Sequence, residues 1–282
     1  MKFNTFYHIY YSHRVKKSGI LTKIYIFFLL PINYLINKTL YLKKTNLDLY
    51  KEKNKKLFNC NLGSLFKKFN SDKGKYFINQ YQKPIHQDNR YIYGHEYHNF
   101  YEKFFKEKKR KKINILELGT FKGNATAAFY FYFKNGNFFS GDLYPDLFCY
   151  KSSRIKNFLI DTSSKDEIYK KIIKKKICYD IIIEDAGHYL KDQIISLFMT
   201  FRKLNSKGVF VIEELDFPDT RKDMNPDNER PTLKDILLKV KNKKNFFSKY
   251  VSKKDKEYFL ANVNKVNIYK GRFNEIAFIT KK

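Results

Sequence analysis

Residues 179–188 read YDIIIEDAGH, and their chemistry gathers at the end. Glu184 and Asp185 are acids, and His188 follows after Ala186 and Gly187 have loosened the backbone. A second stretch, residues 208–216, reads GVFVIEELD and leaves its apolar run at Glu213 and Glu214. Carboxylates are ligands for hard divalent cations, and an imidazole beside them is a base. If the two runs are sheet neighbours, Asp185, Glu213 and Glu214 converge beside His188. A blander reading makes the acids helix caps and His188 a satisfied loop residue. Four suitable groups at two strand ends exceed what capping requires.

The elements that must position them follow from the pattern. Ile181, Ile182 and Ile183 form a β-branched run, as in a strand buried on both faces of a parallel sheet. Ligands of open α/β sheets sit just past the carboxyl ends of such strands. Residues 113–118 form another apolar strand, which carries Glu117 and runs into Gly119-Thr120-Phe121-Lys122-Gly123 and a helix over 125–133. Strand, glycine turn and helix make a phosphate- or nucleoside-binding unit, with Gly119 and Gly123 letting the backbone approach a ligand. The spacing lacks the tighter GxGxxG of dinucleotide sites. A strand over 137–141 ends at Asp142, about 20 residues past the turn, placed to accept both ribose hydroxyls. A third strand, 157–160, ends at Asp161, with Thr162, Ser163 and Ser164 available to cap a helix over 165–174.

Further along, a helix over 190–204 precedes the second acidic strand. Residues 216–231 carry three prolines and are too long for an idle connection, so they are expected to cover the site. A helix over 232–240 and a β-hairpin of residues 263–269 and 276–280 finish the chain. The fold class expected is α/β: a doubly wound, mostly parallel Rossmann-like sheet with helices on both faces and a C-terminal antiparallel hairpin.

Upstream, residues 62–69 predict a short amphipathic helix, and Ser71-Asp72-Lys73-Gly74 reads as a turn with Gly74 left-handed. A loop over 84–93 leads to GHEYHNFYEKFF, residues 94–105, where Tyr97, Phe100, Tyr101, Phe104 and Phe105 recur at helical spacing. His95 and His98 are placed on the surface of that helix.

The first sixty residues differ in composition and form a basic and apolar extension ahead of a domain over 61–282. Their apolar segment, residues 20–36, is interrupted by Lys23, Pro31 and Asn33 and falls short of the roughly 20 residues of a spanning helix. Three readings stay open: a helix on a membrane surface, a helix packed on protein and a true span. No small-residue cleavage site follows, so a signal peptide is not expected. Residues 43–56 are polar and charged and read as a linker.

A net charge of +29 over 282 residues ordinarily points to nucleic acid or an anionic membrane. Here lysines are spread along a chain rich in Asn, Ile, Phe and Tyr and free of Trp, the bias of an A/T-rich coding sequence. Most of that charge is therefore assigned to solvated surface, and nucleic acid is not expected as a partner. Three cysteines, Cys60, Cys149 and Cys178, with no CxxC pair, fit a reducing, cytoplasmic compartment, at the inner face of the membrane if residues 20–36 dock there.

Alternating strands and helices, the sequence ELGTFKG, Asp142 and the terminal hairpin together resemble the class I S-adenosylmethionine-dependent methyltransferases. More narrowly, EDAGH and VIEEL resemble the DDGSH and VIEDL segments of the metal-dependent macrolide-sugar O-methyltransferases of the mycinamicin type. SDKG and GHEYHNFYE resemble that group too, so the similarity runs over about residues 62–282. Glu214 stands where that pattern has Asp, and Ala186-Gly187 replaces Gly-Ser. The resemblance implies that Asp185, Glu213 and Glu214 hold Mg2+ and that His188 is the base. It implies that Glu117, Gly119, Gly123, Asp142 and Asp161 bind S-adenosyl-L-methionine, with a sugar or glycosylated small molecule as acceptor. Two other classes were weighed. A nucleic-acid-modifying enzyme would usually carry D/N-P-P-Y where this chain has EDAGH, and a noncatalytic membrane-tethered scaffold would have no need of the acids.

Overall fold

Among the described residues of the computed structural model (1–40, 44–80 and 89–282), one sheet of seven strands organises the chain. Its strands are β1 (Lys112–Leu118), β2 (Asn135–Asp142), β3 (Ile155–Leu159), β4 (Tyr179–Glu184), β5 (Leu204–Ile212), β6 (Val263–Lys270) and β7 (Glu275–Lys281). Across the sheet the order is β3-β2-β1-β4-β5-β7-β6. The first five strands are parallel, and β7 enters antiparallel between β5 and β6. The order turns back between β1 and β4, so the crevice for a ligand lies there.

Each strand's alternation feeds two cores. Ile113 and Ile115 of β1 and Ile181 and Ile183 of β4 face one side; Leu116, Leu118 and Ile182 face the other. That is why β4 reads as a continuous apolar run rather than as alternation. Twelve helices among the described residues surround the sheet. The chain starts with α1 (Phe3–Tyr10), α2 (Ser12–Lys17), α3 (Ile20–Leu40) and α4 (Leu47–Lys53). Then come α5 (Leu62–Lys68), α6 (His98–Phe105) and α7 (Asn124–Tyr132), which cover the first face with Phe66, Tyr101, Phe105 and Phe129. The second face is covered mainly by α9 (Leu190–Thr200), α11 (Leu233–Lys241) and α12 (Lys253–Asn262), while α8 (Lys165–Ile168) and α10 (Phe217–Thr220) are single turns.

Several expectations shift. Residues 45–59 are part of the fold rather than a linker, because Leu47 and Leu57 are buried in the core on the α7 face. Asn46 caps α4 by accepting from Asp48 N–H, and Thr45–Asn46 pair with Tyr150–Lys151. The helix predicted over 190–204 stops at Thr200, where a 3₁₀ turn leads Leu204 into β5 opposite Tyr179. The helix over 165–174 is α8 continued by a π turn, capped by Ser164 alone of the three hydroxyl residues. After α5 the left-handed residue is Asn70 (φ 57°), not Gly74. His95 precedes α6 instead of lying on it. Of the loop expected over 84–93, residues 84–88 lie outside those described, and Tyr91–Tyr93 pair with Tyr76–Ile78.

At the front, α1 and α3 pack on each other through Phe6, Tyr10, Tyr11 and Leu30, a cluster apart from both sheet cores. No helix among the described residues is long and apolar enough to cross a membrane.

Asp48 shows how α4 is fastened. Burial pushes its carboxyl up, but donation from Ser153 N–H, Ser152 Oγ and Tyr130 OH outweighs this and holds it at about 2 against an ordinary 3.8. A depressed folded-state pKa gives stability that is present above the unfolded value and is lost as pH falls from about 4 to about 2. Asp48 is largely solvated, so screening reduces the contribution to about 1 kcal/mol. Urea melts from pH about 5 down to about 2 are expected to show Asp48→Asn less stable above pH about 4 and converging on the parent chain below.

Candidate active site

Register fixes the site. Leu118 of β1 stands opposite Gly141 of β2 and Glu184 of β4, and Glu184 stands opposite Ile212 of β5. The next residue of each strand therefore emerges at one level: Gly119, Asp142, Asp185 and Glu213. Backbone bonds carry the ladder that far, from Gly119 N–H to Gly141 O at 2.9 Å, Asp185 N–H to Leu118 O at 2.8 Å and Glu213 N–H to Glu184 O at 3.0 Å. Above them opens a cavity of about 750 Å³ whose walls include Glu117, Gly119, Asp142, Asp161, Asp185, His188, Glu213 and Glu214.

At one end the glycine turn sets the shape. Gly119 has φ +85°, and a Cβ there would collide with the Asp185 carbonyl, so the close approach of β1 and β4 demands glycine. Gly123 (φ +79°) is not on the cavity wall: it starts α7, and a Cβ would strike the ring of Phe148. Its requirement is packing, and the structure does not bring it to the ligand space. Asp142 Oδ2 accepts from Phe121 N–H at 2.7 Å and Oδ1 from Tyr144 N–H at 2.8 Å. Each oxygen keeps a lone pair for another donor. Glu117 is buried, accepts from Thr126 Oγ1, and is pushed by burial to about 7 despite Lys73 and Thr126. Asp161 holds its own loop, accepting from Ser163 N–H at 2.9 Å and Ser163 Oγ at 2.7 Å.

At the other end stand the acids. Asp185, His188 and Glu214 offer ligand atoms within 4.8 Å of one another. His188 Nε2 lies 3.8 Å from Asp185 Oδ1 and Nδ1 lies 3.9 Å from Glu214 Oε2, both too far for a hydrogen bond. Its ring meets the edge of Phe217, and burial holds the imidazole below its ordinary pKa, hence neutral. Glu213 and Glu214 are both buried; burial and then Asp185 raise Glu213 to about 8 and Glu214 well above the carboxylate range.

Three residues that the sequence reading gave no role complete this end. Lys73, itself buried, puts its ammonium against Asp185 Oδ2 and 2.7 Å from Glu213 Oε1. Burial works to lower its pKa, but Asp185 and Glu213 keep it well above the ordinary value. Tyr101 OH donates to Glu213 Oε1. Asn274 Nδ2 donates to His95 Nδ1 at 3.3 Å, which leaves the ring proton on Nε2, 3.3 Å from Glu214 Oε1. The SDKG turn and the stretch before α6 are zipped together by His95 N–H to Asp72 O at 2.7 Å, Glu96 N–H to Gly74 O at 3.1 Å and His98 N–H to Lys73 O at 3.1 Å. The segment expected as a cover supplies Phe217, Arg221 and Met224 to the cavity wall.

Removing the ammonium leaves the buried Glu213 carboxyl facing that of the half-buried Asp185. Lys73→Met is expected to cost about 3–5 kcal/mol of stability, and Tyr101→Phe about 1–3 kcal/mol, in urea denaturation. A Lys73→Met chain within experimental error of the parent would contradict this assignment of charge.

No protein-family profile and no curated protein matches the chain. Among solved structures it is similar to the MycE methyltransferase from the mycinamycin biosynthetic pathway in complex with Mg, SAH and mycinamycin VI. That match has 16% identity and a TM-score of 0.58 over 79% of this chain and 54% of that one. Two crystal forms of MycE with Mg and SAH give TM-scores of 0.57 and 0.58 at 16% identity, each over 79% of this chain and over 55% and 53% of theirs. The chain thus spans about half the length of these three structures. At that identity the likeness is one of fold alone.

Proposed function

We propose that the chain is an S-adenosyl-L-methionine-dependent O-methyltransferase that acts with Mg2+ on a hydroxyl of a sugar or glycosylated small molecule. One observation carries the reading: a neutral imidazole and three carboxylates share a cavity with a ribose-type aspartate at the switch point of a methyltransferase fold.

The residues fit both groups. Asp142 retains acceptor capacity on both oxygens at the end of β2, where a nucleoside ribose is held in such sheets. At the acidic end, Asp185, Glu213 and Glu214 face a single ammonium, and burial raises the two glutamates so far that they keep protons unless a further cation answers them. The buried Glu214 Oε2 and His188 Nδ1 make no hydrogen bond in the folded chain. Asp185, Glu213 and Glu214 would hold the metal, with Lys73 taking part of the charge of the first two.

When bound, S-adenosylmethionine supplies an electrophilic methyl group and Mg2+ supplies Lewis acidity toward the acceptor hydroxyl. His188 takes the hydroxyl proton; burial keeps it neutral, and neither ring nitrogen is engaged within hydrogen-bond distance of the acids. Phe217 and Met224 exclude water from that end, while Asp142 and the Gly119 turn hold the nucleoside end.

Transfer of labelled methyl from S-adenosylmethionine to a saccharide-enriched panel is the test. Excess chelator is expected to abolish turnover and leave cofactor binding intact. His188→Ala should lower turnover by roughly 10²–10⁴. Asp142→Ala should weaken cofactor binding by about 1–3 kcal/mol in calorimetry. Full turnover in chelator would remove the metal from the account, and tight NAD binding with none for S-adenosylmethionine would remove the methyl transfer.

A further inference from the structure

The helix α3 has two unlike sides. Leu30, with Ile26 and Tyr34, packs toward Phe6 and Tyr10 of α1. The other side leaves Ile20, Leu21, Ile24, Phe27, Phe28 and Leu35 exposed, Leu21 to 80% and Phe27 to 72%. At 3.6 residues per turn these positions fall in one stripe covering roughly 120° of the helix. A contiguous apolar face of that kind on a folded chain marks a contact with something else.

Charge says what that contact is. The first acid in the chain is Asp48; the residues before it include seven lysines and Arg14 and no carboxylate side chain. Exposed Lys2, Lys16, Lys23, Lys38 and Lys44 belong to this set. Two copies of the segment placed face to face would bring like charges together, whereas an anionic surface draws them in. Lys23, Pro31 and Asn33 interrupt the apolar run of α3, and the helix is not long and apolar enough to span. We propose that α1 to α3 form a docking surface for a bilayer with anionic headgroups, with α3 lying in the interface plane and its stripe among the acyl chains.

Docking would be held at a fixed place relative to the cavity. Thr5 Oγ1 donates to Asp146 Oδ1 at 2.9 Å, and the His8 ring stacks on Tyr144. These residues belong to the loop that follows Asp142, and Leu143 of the same loop lines the cavity. The surface does not depend on the chemistry proposed for that cavity.

The test uses the full chain and a Phe27→Ser/Phe28→Ser variant, both positions being exposed. Each is sedimented with vesicles of phosphatidylcholine alone and of an equimolar mixture with phosphatidylglycerol, and each is run without lipid in sedimentation velocity. The parent is expected to sediment with the phosphatidylglycerol vesicles, to stay in solution with phosphatidylcholine alone, and to be released in part by high salt. The variant is expected to lose about tenfold or more in partitioning while melting at the parent's temperature. Equal partitioning of parent and variant, or no partitioning of the parent, overturns the proposal. So does a lipid-free dimer that the variant dissolves, which would make the stripe a contact between copies of the chain.

Discussion

The ammonium of Lys73, buried between Asp185 and Glu213, is the interaction on which the rest of the site depends. Parallel register delivers acids from β4 and β5 to one level, and burial makes their shared charge costly. One internal cation relieves part of it. Tyr101 adds a hydrogen bond to Glu213, and His95 turns its Nε2 proton toward Glu214. Burial still holds Glu213 near 8 and Glu214 above the carboxylate range, so both favour a proton where no further cation is at hand.

The same register governs the nucleoside end. Because β1 and β4 run side by side to Leu118 and Glu184, the turn after β1 passes directly under the Asp185 carbonyl, and only glycine fits at 119. That close approach joins the two ends of the cavity, so His188 and the acids stand one strand away from the turn that precedes α7. The cover over the acidic end is tied down as well: Asn225 Nδ2 donates to Pro218 O and Glu229 O, and Leu190 N–H to Met224 O.

Strand ends were legible because residue type and position coincide there: a β-branched run followed by acids admits few other arrangements. The same logic set Asp142 and Asp161 just past strand ends, and both line the cavity. It failed where a role depends on contacts distant in sequence. Lys73 sits in a short turn of a lysine-rich chain, and nothing local separates it from solvated neighbours; its partners lie 112 residues or more away. Tyr101 was counted as core, as its ring is, while its hydroxyl reaches Glu213. His95 was placed on a helix that starts three residues later. Gly123 went the other way, its left-handed turn serving Phe148 rather than a ligand. Residues 43–56 read as a linker because their charges outnumber their apolar side chains, while burial of Leu47 and of Leu57 just beyond fastens residues 45–59 to the core. For α3 the composition showed an apolar segment, but only the packing on α1 says which side is left over.

The proposed metal site requires that Asp185, Glu213 and Glu214 take up a divalent cation in exchange for the protons that burial favours on the two glutamates. Titrating Mn2+ into the full chain and following free ion by electron paramagnetic resonance tests it without any acceptor. The account predicts a single saturable ion per chain, displaced by Mg2+ and lost in Glu214→Gln, with Lys73 unchanged in all cases. No saturable binding by the parent chain, or binding that survives Glu214→Gln and Asp185→Asn together, would contradict it.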